Sequence, residues 1–278
     1  MAEITKEDIA ACKPDCAAGA ATLNKAINVG IAKATNKGSR LFALAMMAGV
    51  QIGLGALFMT YVKADHSLSF AAASVLGGLC FSLGLICVIV AGSELFTGNN
   101  LMVIAWLQKK ITFKQLMRNW GIVWLGNFVG SLILVLVVVG CASAAIAAGD
   151  NTVGNQMVAV ASGKINLTPL QIFCRGIGCN LLVCLAVWMG FCGRTVIDKI
   201  FTAIFPVMAF VALGFEHCVA NMFFLPMGYV ASLMGYGTVG VLSLGGICIN
   251  IIFATLGNIV GGSIFVGVLY WFSYRAAK

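Results

Sequence analysis

Polar residues are so sparse along this chain that its hydrophobic pattern reads as a series of long blocks. Apolar stretches long enough to cross a bilayer as a helix, which takes about 20 residues, run from Leu41 to Val62, Ser69 to Val90, Trp120 to Ile146, Leu170 to Phe191 and Val239 to Trp271. A further apolar region extends from Ile200 to Leu233. The blocks predict an all-α membrane protein over residues 39–278. Residues 1–38 differ, because Leu23, Ile27 and Ile31 recur at helical spacing among lysines. That segment is predicted to be a cytoplasmic amphipathic helix, an interfacial anchor on the inner leaflet with a gating arm as the alternative. It has no continuous apolar core of the kind a secretory signal needs, so no cleavage is expected.

Composition strengthens this reading. The chain is 61% hydrophobic and 9% charged, with a mean hydropathy of +1.01, well above a water-soluble domain. A net charge of +8 raises the question of nucleic acid, but the basic residues sort by membrane side instead. With a cytoplasmic N-terminus and six spans, every one of the 17 lysines and arginines except Lys63, Lys164 and Arg175 falls on the inner side. Both termini are therefore expected in the cytoplasm. Most of the 11 cysteines sit within spans and read as small packing residues. Cys12 and Cys16, without nearby histidines, are weak support for a metal.

The chain repeats itself. Residues 125–131 read Leu-Gly-Asn-Phe-Val-Gly-Ser and residues 256–262 read Leu-Gly-Asn-Ile-Val-Gly-Gly. Earlier in each half, Gly92, Glu94 and Asn99 correspond to Gly214, Glu216 and Asn221. With three spans per half, the second half must enter from the opposite face, which predicts two inverted repeats, 39–147 and 168–274. The Gly-x-Glu segments interrupt apolar regions too short for two full spans, so the second and fifth helices are predicted to break inside the membrane. Broken backbone at that depth must be buried or line a cavity. Gly126 with Gly130, and Gly257 with Gly261, read as close-packing devices.

Few ionisable residues lie at membrane depth, and each is a functional candidate because burying a charge there is costly. His217 leads, since it falls in a helix break and imidazole exchanges protons near neutral pH. Glu94 and Glu216 are expected to accept hydrogen bonds from the unwound backbone. Arg175 is read equally as an anion attractor or as a donor to loop carbonyls.

The strings 91–98 (Ala-Gly-Ser-Glu-Leu-Phe-Thr-Gly), 179–188 (Cys-Asn-Leu-Leu-Val-Cys-Leu-Ala-Val-Trp) and 214–222 (Gly-Phe-Glu-His-Cys-Val-Ala-Asn-Met) resemble the three signatures of the formate/nitrite transporter family. The resemblance covers nearly all of the chain after its first 30 residues. It implies an aquaporin-like protomer, a homopentamer in the bacterial inner membrane, and a pore in each protomer. By the same resemblance, Thr97 sits on the loop of the second span and His217 faces the pore centre, beside Glu216. Asn180 and Asn221 hydrogen-bond around that histidine. Phe81 and Phe210 match the outer hydrophobic constriction, Leu85 and Leu95 the inner one, with Phe96 and Val183 as further constriction residues. Lys164 matches the lysine that draws anions into the outer vestibule.

The expected function is a channel for small monovalent anions, with possible proton coupling through His217. Formate is the first choice, from Cys184 to Met189, the basic loop 193–199 and Pro206. Ser93, Glu94 and Gly98 lean toward the nitrite or hydrosulfide branches. No cofactor or metal is expected, because one buried histidine with two separated glutamates is a poor zinc site. An intramembrane serine protease finds no Gly-x-Ser-Gly string, and a water pore finds no Asn-Pro-Ala pair.

Overall fold

The computed structural model describes residues 16–17, 19–141, 152–237 and 242–275. Among them every regular element is helical. The chain opens with α1 (Ala20–Thr35), α2 (Gly38–Lys63) and α3 (Phe70–Ala91). A short run follows as α4 (Phe96–Asn99), a 3-10 turn (Asn100–Met102) and α5 (Val103–Leu107), before α6 (Phe113–Gly140). The second half comprises α7 (Thr152–Ile165), α8 (Pro169–Cys192), α9 (Val196–Ala212) and α10 (Cys218–Leu233). It ends in α11 (Leu244–Ile259), which continues through a π-helical stretch (Val260–Val268) into α12 (Leu269–Tyr274).

Among the described residues, five helical stretches are long and apolar enough to cross a bilayer: α2, α3, α6, α8 and the α11–α12 run. Polar side chains set where they start. Ser69 caps α3, Thr112 and Thr168 form capping boxes with Gln115 and Gln171, and Thr195 does so with Asp198. The Thr112 box explains why α6 starts several residues before the apolar block at Trp120.

Both interruptions that the sequence predicts are present. α3 ends at Gly92 with φ 80°, and α9 gives way just before Gly214 with φ 67°. A residue with a Cβ is strained in this left-handed region, so glycine is the natural stop. The chain then turns in non-helical conformation and resumes as α4 or α10.

The paired glycines pack as anticipated. A Cβ at Gly126 would meet Ala45, and one at Gly130 would strike the Met46 carbonyl, so α6 lies tight on α2. Gly257 and Gly261 do the same for α11 against the carbonyls of Phe173 and Ile177 on α8. α1 departs from its expected role as an interfacial anchor. Leu23, Ala26 and Ile27 are buried in a cluster with Leu101, Val103, Ile104, Trp188 and Val266. Its apolar face is spent on the protein body rather than offered to lipid.

Candidate functional site

The two helix breaks meet at the centre of the molecule, and an asparagine pins each one. Asn127 on α6 accepts from Phe96 N–H through Oδ1 (2.9 Å) and donates from Nδ2 to the carbonyls of Ala45 (2.8 Å) and Glu94 (2.9 Å). Asn258 on α11 accepts from Cys218 N–H (2.8 Å) and donates to the carbonyls of Gly176 (2.8 Å) and Glu216 (2.9 Å). These are the asparagines of the two Leu-Gly-Asn strings. Their amides satisfy the backbone groups that a broken helix leaves unpaired, which membrane depth requires.

The carboxylates of the breaks also occupy matching networks. Glu94 Oε2 accepts from Lys33 Nζ (2.8 Å) and Asn99 Nδ2 (2.7 Å), and Asn99 Nδ2 also donates to Asn119 Oδ1. Glu216 accepts from Lys164 Nζ at Oε1 (2.8 Å) and from Asn221 and Asn250 Nδ2 at Oε2 (2.7 and 3.1 Å). Asn119 donates to Lys33 O, as Asn250 does to Lys164 O. The expectation that these carboxylates bind unwound backbone is thus corrected: lysine and asparagine side chains fill them, and Asn127 and Asn258 serve the backbone. Lys33 entered the sequence reading only as an inside charge, and Asn119 and Asn250 had no place in it. The signal was there, because each of these asparagines stands eight positions before the asparagine of its Leu-Gly-Asn string.

His217 is the N-cap of α10. Its Nδ1 accepts from Ala220 N–H (3.0 Å), and its Nε2 lies 2.8 Å from Thr97 Oγ1. Because Nδ1 is occupied as an acceptor, the neutral ring carries its proton on Nε2 and donates it to Thr97. The Thr97 hydroxyl proton is then available to another acceptor. Both residues are buried, at 2% and 0% exposure.

A cavity lies on each side of this pair. One, of about 280 Å³, is lined by Phe81, Phe210, His217, Lys63, Lys164 and Arg175. The other, of about 300 Å³, reaches Leu85 and Leu95 and carries Lys25, Lys33 and Lys199. Phe81 and Phe210 meet edge to face at 5.6 Å, and the Phe210 ring stacks toward the His217 ring at 5.8 Å. Phe81 and Phe210 thus line the first cavity beside the His217 ring itself, while Leu85 and Leu95 line the second, which does not reach Thr97.

Several sequence assignments shift. Neither asparagine side chain bonds the histidine ring: Asn180 donates to Thr97 O, Asn100 Oδ1 and Asn258 O, and Asn221 serves Glu216 and Asn250. Asn180 acts on the site from Thr97's side, because α8 faces the α4 turn. Phe96 packs edge to face on Trp120 and lines neither cavity, since its place after the Leu95 turn points it at α6. Val183 is buried and lines neither, while Val187, one turn further along α8, reaches the Leu95 cavity. Arg175 donates to Gly214 O at 3.4 Å and lines the Phe81 cavity.

Residues 20–272 match the profile of the family described as Formate/nitrite transporter. The chain belongs to that family. It is 40% identical over 268 residues to the formate channel FocA of Escherichia coli K12, covering 92% of this chain and 93% of that one. The formate channel FocA of Haemophilus influenzae is 41% identical over 254 residues, covering 87% and 89%. Among solved structures it is similar to a pentameric formate channel with formate bound, with a TM-score of 0.76 and 39% identity over 85% of this chain and 97% of that one. An ion channel of the formate/nitrite transporter family superposes with a TM-score of 0.80 at 29% identity, over 91% and 99%. These relatives are channels and transporters, not enzymes.

Proposed function

We propose that this chain is a membrane channel passing small monovalent anions, formate first, along a path from the Lys164 cavity past Phe81 and Phe210 to Thr97–His217, and past Leu85 and Leu95 to the Lys33 cavity. The observation that carries this is one buried polar contact between two basic cavities, with Phe81 and Phe210 around its His217 side and Leu85 and Leu95 before its Thr97 side. A bare anion in such a slit loses its hydration at a cost of several kcal/mol. The buried donor placed to repay it at the contact is the Thr97 hydroxyl, held by His217 Nε2.

The duplicated networks support two inverted repeats, 39–147 and 168–274, and extend the correspondence to α1 and α7 through Lys33 and Lys164. The basic residues support the orientation. The Leu95 cavity holds lysines assigned to the inside, and the other holds all three assigned outside. Both termini then lie in the cytoplasm of a bacterial cell. The likeness to a pentameric channel supports a homopentamer.

Two roles for His217 follow. In a relay it protonates the anion, which crosses the leucine slit as the neutral acid. As a fixed donor it stays neutral and only holds the Thr97 hydroxyl toward the anion. The Ala220 bond favours the fixed donor, because a proton on Nδ1 would face another N–H and break the cap. Labelled formate uptake into proteoliposomes, with and without a proton gradient, separates them. Loss of proton coupling in His217→Phe supports the relay, and equal coupling in both proteins sinks it. Swelling in iso-osmotic formate, nitrite and hydrosulfide tests the substrate. Formate should lead, a faster nitrite or hydrosulfide response would reassign it, and no swelling at all would refute the channel.

A further inference from the structure

Among the described residues, the Phe81 cavity holds three cationic side chains, Lys63, Lys164 and Arg175, and a single carboxylate, Glu216. Their charges are not equally available. Lys164 Nζ sits 2.8 Å from Glu216 Oε1, and Glu216 is 2% exposed, so that pair is a neutral unit facing the pore. Two positive charges are left over, on Lys63 and Arg175.

Lys63 forms no ion pair with any described carboxylate within 4 Å. The acid nearest to it in sequence, Asp65, is taken by Ser67, which donates to it from N–H (2.9 Å) and Oγ (2.6 Å). The Lys63 stem runs along the first turns of α3, where a Cβ at Gly77 would lie 3.4 Å from its Cε. The absence of a side chain at Gly77 thus gives the stem its track into the cavity. Arg175 is exposed and spends one donor on the Gly214 carbonyl, at a long 3.4 Å, against a neutral group that leaves its charge uncompensated.

We propose that Lys63, assisted by Arg175, forms the anion-collecting site of this mouth, and that Lys164 and Glu216 act instead as a structural pair holding the α10 break. The site takes small monovalent anions through a field of two unpaired cations inside low-dielectric walls, an arrangement that raises local anion concentration without tight binding. The inference rests on the channel reading and deepens it.

The test measures initial formate flux in oriented proteoliposomes against concentration, entering from either mouth, at low and high ionic strength. Lys63→Gln should raise the half-saturating concentration about threefold for entry from the Lys63 side, and Lys63→Gln with Arg175→Gln about tenfold, at low salt. Both effects should fade at about 1 M salt, where the screening length is ~3 Å. Entry from the Lys25 and Lys199 side should keep its half-saturating concentration, which a misfolded or merely destabilised variant would not do. Lys63→Arg should restore the unsubstituted behaviour. Half-saturation from the Lys63 side unchanged in Lys63→Gln, with the unsubstituted protein conducting, overturns this inference alone. An equal effect from both mouths also overturns it. No flux of any small anion through the unsubstituted protein overturns the channel reading and this inference with it.

Discussion

Replacing Asn258 by leucine, which has the same number and branching of side-chain heavy atoms, tests whether the pinned helix break is what builds the pore centre. The substitution removes three hydrogen bonds: from Cys218 N–H, to Gly176 O and to Glu216 O, all between 2.8 and 2.9 Å. Polar contacts between helices in membranes average about 0.6 kcal/mol each, whereas an orphaned buried backbone group costs about 1–3 kcal/mol. Three bonds therefore bracket the loss between about 2 and about 9 kcal/mol, the upper end applying if the break cannot relax. Asn127→Leu removes the same set from the other break, so its loss should agree to within about 1 kcal/mol. The fluxes should differ. Asn258 holds the turn that carries His217, while Asn127 holds the turn that carries Leu95, so the first variant should lose whatever depends on His217 and the second should alter the apolar slit. The assays are unfolding in mixed micelles followed by tryptophan fluorescence, and formate flux in liposomes. A loss below about 1 kcal/mol for Asn258→Leu, smaller than even the membrane average predicts, would refute the reasoning. So would stabilities of the two variants that differ threefold.

Phe81→Ala with Phe210→Ala should increase anion leak, because the edge-to-face pair at 5.6 Å lines the Lys164 cavity beside His217 and removing both rings widens it; unchanged or lower conductance in planar bilayers would count against that barrier. Gly130→Ala should destabilise by about 1–3 kcal/mol, since its Cβ strikes the Met46 carbonyl and α2 must move. Gly121→Ala in the same helix meets nothing within 4 Å and should be neutral or stabilise by up to about 1 kcal/mol in the same unfolding assay. Native mass spectrometry in mild detergent should return a pentamer, and a monomeric mass would contradict the proposed assembly.

Much of this architecture was legible in the sequence because a bilayer leaves a chain few choices. Backbone groups that cannot reach water must be paired within helices, so long apolar blocks with no charges can be little else. The two Gly-x-Glu interruptions were visible for the same reason: a carboxylate at that depth requires a specific partner. The repeated Leu-Gly-Asn strings disclosed the duplication, and the glycines at 126, 130, 257 and 261 disclosed where helices touch. The three signature strings led to the family and singled out Thr97 and His217; that Thr97 Oγ1 meets His217 Nε2 at 2.8 Å is visible only in the fold.

What the tertiary structure alone decided is the set of partners. The alternation of apolar and basic residues in α1 looked the same whether its apolar face met lipid or protein, because both environments reward burial equally. Only packing against Leu101, Ile104 and Trp188 separates them. The partners of Glu94 and Glu216 were equally hidden, since Lys33 lies 61 residues from one and Lys164 lies 52 from the other. The tautomer of His217 depends on the Ala220 N–H, which is free to meet the ring only because α10 begins at Cys218. Side-chain direction near a break follows from the local φ and ψ of a non-repeating turn, and no periodicity in the sequence reports those angles. That is why Phe96 resembles a pore residue in the string yet lines neither cavity in the fold, whereas Val183, in the regular helix α8, misses both because Val187 is on the turn of α8 that reaches the Leu95 cavity.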